Sequence, residues 1–318
     1  MRVQLLHDLK DDELSWLRTT VSGVEILSPA QANDDAEILV AGTPSAEELD
    51  RLPSLKHLIV PWAGVAPRTL ELLRGRRHIC CYNLHHNAEA TAETALALLF
   101  AVSRRIVKLD KSMRAGNWAP RYTGSGTRQL AGKSALIVGY GSIGQRVGAV
   151  LSTLGMQVTG VNRSGRQVGG SVRVVPIDRI TEHLSEADVV ILALPLTEET
   201  LLLFNRDLIQ QLKDGSIFVN VARGAIVEEA ALFEAVQSGK LFGAGFDVWW
   251  KYPAEGEESD SPVGDFSWHE LENVVMSPHV GGTSEENESL RLRGIADLIQ
   301  RIRDSDEALR AVDVDLGY

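Results

Sequence analysis

Short apolar runs alternate along the chain with stretches whose apolar residues recur every three or four positions. RVQLLH, VEILS, AEILVAG, HLIVPWAG and ICCYN read as strands. Between them DDELSWLRTTV, SAEELDRL and PRTLELLRGR carry helical spacing. A long helical stretch follows, AEATAETALALLFAVSRRIVKLDKSMRAG, too long for a simple crossover and suited to joining two domains. After the polar passage GNWAPRYTGSGTRQLAGK a second series begins: SALIVG, QVTGV, DVVILALP, SIFVNVA, FGAGFDV and NVVMSP. These runs are nearly continuously apolar, as strands buried on both faces require. Helices fit between them at 142–154, 200–212 and 228–238, and six strands match one dinucleotide-binding sheet. SEENESLRLRGIADLIQRIRDS reads as a helix returning to the first domain. The whole pattern predicts an α/β protein of parallel sheets with helices on both faces.

A length of 318 residues suits two domains or one large one. The net charge of −11 argues against a general nucleic-acid binder, which needs a basic face. No apolar run is long enough to span a bilayer. The start, MRVQLLHDLKDDE, lacks an apolar core followed by a cleavage site, so no signal peptide is expected. Cys80 and Cys81 are neighbours in a predicted strand and point to opposite faces, which disfavours a mutual disulfide. The expectation is two buried, reduced thiols in a cytoplasmic protein. Residues 253–265, PAEGEESDSPVGD, read as an acidic surface loop.

SALIVGYGSIGQRVGAVL sets Gly139, Gly141 and Gly144 between a strand and a helix, with Ser142 and Ile143 opening the helix. The first glycine permits a tight turn, the second lets backbone approach a pyrophosphate, and the third packs helix on strand. The helix N-terminus supplies N–H groups to the anion. A Gly-rich turn of this kind can also serve packing alone, but the flanking strand, helix and second strand stand in the order a dinucleotide site requires. At the end of that second strand an acid usually meets the adenosine ribose. Here VNRSGR offers neutral Asn162 and Ser164 beside Arg163 and Arg166. With no carboxylate to repel a 2′-phosphate and a guanidinium to grip one, NADP(H) is the expected cofactor and NAD(H) a possible one. Solvated surface arginines are the plainer alternative.

Three further strand ends carry polar residues at the edge where such sheets bind ligands. Arg223 lies in VNVARGAIVEE, Asp247 in GAGFDV and His279 in VVMSPHVGGTS. Singly, each reads as a surface or loop residue. Together they make a site in which Arg223 forks a carboxylate and His279 exchanges a proton with an oxygen on the carbon that gains or loses hydride.

With NAEATAETALALL, GNW, GYGSIG, LPLTEET, NVARGAIVEEAAL, GAGFDV and SPHVGGTS in order, the chain resembles the D-isomer-specific 2-hydroxyacid dehydrogenase family over essentially its whole length. The resemblance implies two doubly wound parallel-sheet domains with a cleft between them. The flavodoxin-like substrate domain would be discontinuous, 1–98 with 286–318, and 99–285 would form the Rossmann dinucleotide domain. It implies a homodimer formed largely through the nucleotide domains. By motif, Arg223 resembles the substrate-carboxylate arginine, His279 the acid/base histidine, and Asp247 the residue that meets the nicotinamide carboxamide. The PWAGV turn resembles the segment whose N–H groups meet the substrate carboxylate, near Ala63, Gly64 and Val65. Pro195, Thr200 and Ala222 lie in segments that line the cofactor in the family.

One departure stands out. Family members usually carry a glutamate five residues after this aspartate, followed by proline. Here Pro253 keeps the register and Tyr252 takes the glutamate's place. That glutamate fixes the histidine and raises its pKa. Formate dehydrogenases of the family also lack it, and their reaction needs no proton transfer to an alkoxide. Tyr252 is therefore a candidate catalytic residue beside His279, while Trp249, Trp250 and Tyr252 can equally pack the strand end. The acids in 255–258 reaching inward is a further option, against which stands an ordinary solvated loop. His85 and His86 lack ligand spacing, so no metal is expected. The expected function is NADP(H)-dependent interconversion of a small 2-oxo and 2-hydroxy acid, of glyoxylate or hydroxypyruvate type. The alternatives are oxidation without a proton shuttle, or nucleotide sensing by a binding protein.

Overall fold

A computed structural model describes every residue except 32, 33, 255, 258 and 318. The chain forms two compact units, residues 1–87 with 284–318, and residues 88–283. A boundary at 98/99 would cut the helix Ala88–Ser103, whose buried Ala92, Ala95, Leu96, Leu98, Leu99 and Val102 belong to the core of the second unit.

The first unit holds β1 (Arg2–Leu5), β2 (Glu25–Leu27), β3 (Ile38–Val40), β4 (His57–Val60) and β5 (Cys80–Asn83). They pair in parallel in the order β2-β1-β3-β4-β5, the flavodoxin-like arrangement. Two apolar layers cover the sheet. One includes Val3, Leu17, Val40 and Ile59 against Ile295 and Ile299 of the returning helix, Asn287–Arg303. The other gathers Leu39, Leu58, Leu70 and Leu73. Cys81 is buried and its thiol is pushed up to about 12 by desolvation. Cys80 is exposed, because β5 is an edge strand and its first residue faces away from the core, so only one of the two thiols is buried.

The second unit holds β6 (Ser134–Val138), β7 (Gln157–Asn162), β8 (Arg173–Pro176), β9 (Val189–Leu192), β10 (Ile217–Asn220), β11 (Gly243–Phe246) and β12 (Val274–Met276). All pair in parallel in the order β12-β11-β10-β9-β6-β7-β8. This is the doubly wound dinucleotide-binding order with one strand added beyond β11. The sheet has seven strands where six were expected, because β8 (RVVP) offers only Val174 and Val175 as an apolar run between an arginine and a proline. The order reverses between β6 and β9, which places a switch-point crevice there.

The long helical stretch is broken. Arg105 adopts φ 51° between the helices Ala88–Ser103 and Ile106–Arg114. The expected helix at 200–212 is confined to Arg206–Gln210, with Asn205 capping Leu208 N–H. The turn before it packs Phe204 into the core. The helices at 142–153 and 229–237 lie within a residue of expectation.

Candidate active site

The loops after six strands of the second unit carry the expected cofactor residues with Arg223, Asp247 and His279, all at the carboxyl edge of the sheet. After β6, Gly139 has φ 98°. A Cβ there would stand 2.4 Å from the carbonyl carbon of Ala193, so only glycine lets β6 turn this close to the chain leaving β9. At Gly144 a Cβ would meet the Gly139 carbonyl oxygen at 2.3 Å, which shows the helix Ser142–Thr153 pressed on the turn. At Gly141 a Cβ would meet nothing within 4 Å. The space left at the N-terminus of this helix is what a pyrophosphate needs, with Ser142 and Ile143 in its first turn. The turn therefore fits a dinucleotide.

Asn162 ends β7. Its Oδ1 accepts Gly165 N–H at 2.7 Å and its Nδ2 donates to the Arg166 carbonyl at 2.8 Å. Arg163 and Ser164 are exposed on that turn, and Arg163 pairs with Glu199 at 3.2 Å. Pro195 follows β9. The Thr200 hydroxyl donates to the Pro195 carbonyl at 2.7 Å and accepts Thr197 N–H at 2.7 Å, closing that loop.

After β10, buried Asn220 folds the next turn: its Oδ1 accepts Ala222 N–H at 2.9 Å and its Nδ2 donates to the Arg223 carbonyl at 3.0 Å. Arg223 is exposed with extended backbone, and one of its N–H groups donates to the Ala222 carbonyl at 2.6 Å.

Asp247 follows β11 and is buried. Its Oδ1 accepts the Ser277 hydroxyl and Val280 N–H at 3.1 Å, and its Oδ2 accepts Gly281 N–H at 2.8 Å. A carboxylate can satisfy several donors at once, and this one holds the loop after β12 from both sides of His279. A Cβ on Gly281 would lie 2.5 Å from Asp247 Oδ2, so glycine is needed for that approach. His279 is held at φ 58°, a left-handed conformation costing on the order of 1 kcal/mol for a non-glycine residue. Such strain persists only where surroundings impose it, and the Asp247 clamp does so.

Partial burial is the main cause that lowers the His279 pKa below its ordinary value. The positive charge of Arg223 lowers it further, and the negative charge of Asp247 opposes both. Arg223, Asp247 and His279, from three strand ends, thus share one electrostatic neighbourhood.

Tyr252 and His279 meet ring to ring, with centroids 5.5 Å apart and planes tilted by 50°. The tyrosine hydroxyl accepts Trp249 N–H at 3.2 Å, so its polar end serves the local turn. Trp249 is buried and donates through Nε1 to the Ser277 carbonyl at 2.9 Å, while Trp250 donates to the Val227 carbonyl at 2.8 Å and stacks on Trp268. The aromatics after Asp247 therefore brace the two loops that carry Arg223 and His279. Glu255 and Glu258 of the acidic loop lie outside the described residues. In the first unit Ala63, Gly64 and Val65 follow β4, and Asn83 donates to the Ala63 carbonyl at 2.5 Å. His86 lies in that unit as well, its pKa lowered by burial and then by Arg291.

Asn220 and Ser277 were not singled out beforehand, although both stand inside motifs, NVARG and SPHVGG. Their roles are visible only once β10, β11 and β12 lie side by side.

Residues 96–281 match the family model described as "D-isomer specific 2-hydroxyacid dehydrogenase, NAD binding domain". The chain belongs to this family. Among D-isomer-specific 2-hydroxyacid dehydrogenase relatives, a hydroxypyruvate reductase of Thermotoga maritima is 29% identical, covering 88% of this chain and 92% of that protein. A glyoxylate reductase of Pyrococcus furiosus is 35% identical over 62% of this chain and 57% of its own length. The chain spans about half the length of several longer relatives. Among solved structures, a D-isomer specific 2-hydroxyacid dehydrogenase from Xanthobacter autotrophicus Py2 in complex with NADPH and MES superposes with a TM-score of 0.79. It is 25% identical and covers 100% of this chain and 99% of that one.

Proposed function

We propose that the chain interconverts a small 2-oxo acid and its 2-hydroxy acid with NADP(H), the substrate being of glyoxylate or hydroxypyruvate type. The observation that carries this reading is the convergence of Arg223 and His279 at the carboxyl edge of a dinucleotide sheet, close enough for one charge to shift the other's pKa. When bound, the nicotinamide supplies or accepts the hydride. Arg223 forks the substrate carboxylate with its planar guanidinium. His279 in its protonated form gives a proton to the substrate oxygen during reduction, and in its neutral form takes one during oxidation. Asp247 keeps His279 in place and, with Ala222, Pro195 and Thr200, forms the expected bed for the nicotinamide half. In the first unit the reading assigns carboxylate contacts to the N–H groups of Ala63, Gly64 and Val65.

Relatives named hydroxypyruvate reductase and glyoxylate reductase support the substrate class, and a structural neighbour in complex with NADPH supports the cofactor. The exposed apolar side chains of Ile106, Val107, Met113, Trp118 and Tyr122 support a homodimer in which a second copy covers them. Among the described residues no helix is long and apolar enough to cross a membrane, and a cytoplasmic location belongs to this same reading.

Tyr252, set beside the His279 ring where the family usually has a glutamate, favours a second reading, oxidation of a substrate that surrenders hydride without a proton shuttle. A panel of 2-oxo acids, 2-hydroxy acids and formate, assayed with both cofactors through the absorbance of the reduced form, decides between them. Turnover of a 2-oxo acid that His279→Ala abolishes supports the first reading. Turnover of formate alone sinks it.

A further inference from the structure

The end of β7 has no carboxylate of its own, but one from a different strand end meets the turn that follows it. Asn162 stands where an acid would face the adenosine ribose, but both ends of its amide close its own turn. That turn presents Arg163. The guanidinium reaches Glu199, on the Thr200-closed loop after β9, at 3.2 Å. In the sheet β6 lies between β7 and β9, so the pair reaches across the strand that carries the Gly139 turn. Both side chains are open to solvent, 43% and 63% exposed, so packing locks neither. An ion pair of this kind is weak and readily exchanged.

We propose that Arg163 and Glu199 form a two-way selector for the adenosine ribose of the cofactor. Arg163 leaves Glu199 to take a 2′-phosphate, and Glu199 accepts a hydrogen bond from an unmodified 2′-hydroxyl. A phosphate offers the guanidinium a bidentate, charge-assisted partner better than one exposed carboxylate. The same phosphate is repelled by Glu199. A ribose hydroxyl instead finds a strong acceptor in the Glu199 carboxylate, whereas the neutral Asn162 oxygen already accepts Gly165 N–H. Arg163 therefore favours the phosphorylated cofactor and Glu199 the unphosphorylated one, and the two opposed groups set a modest preference. The proposal rests on the reading that this turn holds a nicotinamide dinucleotide.

The test is direct binding of NADPH and NADH, without substrate, followed by titration calorimetry on the full chain at low and at physiological salt. Glu199→Gln should tighten NADPH and weaken NADH, each by roughly three- to tenfold. Arg163→Ala should weaken NADPH by at least tenfold and leave NADH no weaker. The gain in NADPH binding by E199Q should shrink as salt rises. Thermal melts of both variants establish that the fold is intact, and Glu199→Lys provides a second route, with NADPH favoured still more strongly. If E199Q changes both cofactors in the same direction, or neither, the selector is wrong. If the unaltered chain binds neither dinucleotide, the failure lies with the dinucleotide reading instead.

Discussion

Asp247 Oδ2 accepts the N–H of Gly281 at 2.8 Å, while Oδ1 of the same carboxylate accepts Val280 N–H at 3.1 Å and the Ser277 hydroxyl. The aspartate thus holds two residues beyond His279 and one before it. Asp247→Asn keeps the shape but replaces one acceptor oxygen by a donor, which would face a backbone N–H. A buried donor left unsatisfied costs about 1–3 kcal/mol. The expected outcome is a fall of that size in stability by urea denaturation. Turnover should fall by more than tenfold as His279 loses its position. An asparagine variant with normal turnover and stability would show that the clamp is dispensable.

Two glycines of the turn after β6 separate folding from binding. Gly141→Ala meets no heavy atom within 4 Å and needs no left-handed backbone, so the variant should melt as the parent does. Its methyl group would fill the space a pyrophosphate needs, so cofactor affinity should drop by at least tenfold. Gly139→Ala would combine φ 98° with a 2.4 Å approach to Ala193 and should lose stability by about 2 kcal/mol or more. Melting curves and cofactor titrations on both variants check the contrast. Equal stability loss in the two would overturn it.

Much of this was legible before the structure because its signals are local. Gly139, Gly141 and Gly144 name a turn by their spacing, and buried parallel strands such as VVIL announce themselves by unbroken apolar runs. The rest depended on geometry with no letter of its own. The break at Arg105 hides because Val102, Ile106 and Leu109 continue a helical spacing through it. Ser277 reaches Asp247 across thirty positions of sequence. Tyr252 is distinguished by what its hydroxyl touches, a backbone N–H that every residue but proline carries.

Arg223 has two effects that one substitution pair separates. Arg223→Lys preserves the charge and loses the planar fork, so the low pKa of His279 should persist while activity on 2-oxo acids falls by tenfold or more. Arg223→Gln removes the charge, so the His279 pKa should rise toward its ordinary value. NMR titration of the His279 ring, run beside steady-state kinetics, reads both. A lysine variant with normal kcat/KM on every substrate would rule out bidentate carboxylate binding.

Burial and the Arg223 charge lower the His279 pKa, Asp247 opposes them, and the neighbouring ring at position 252 brings no carboxylate. The neutral imidazole is thereby favoured, and protonation needs a lower pH than it does for an ordinary histidine. Reduction of a 2-oxo acid needs the protonated form, so its rate should fall as pH rises through this lowered pKa. Oxidation of the 2-hydroxy acid needs the neutral form and should rise through the same value. Tyr252→Glu sets a carboxylate beside the ring, stabilises imidazolium and should move both limbs to higher pH. Tyr252→Phe removes only the acceptor of Trp249 N–H, so it should cost about 1 kcal/mol of stability and leave both limbs in place. The pH dependence of kcat/KM in both directions, for the parent and the two variants, is the measurement. A phenylalanine variant whose limbs shift would give the hydroxyl a share in the proton chemistry. Limbs that stay fixed in the glutamate variant would mean that position 252 does not govern the charge of His279, although the rings lie 5.5 Å apart.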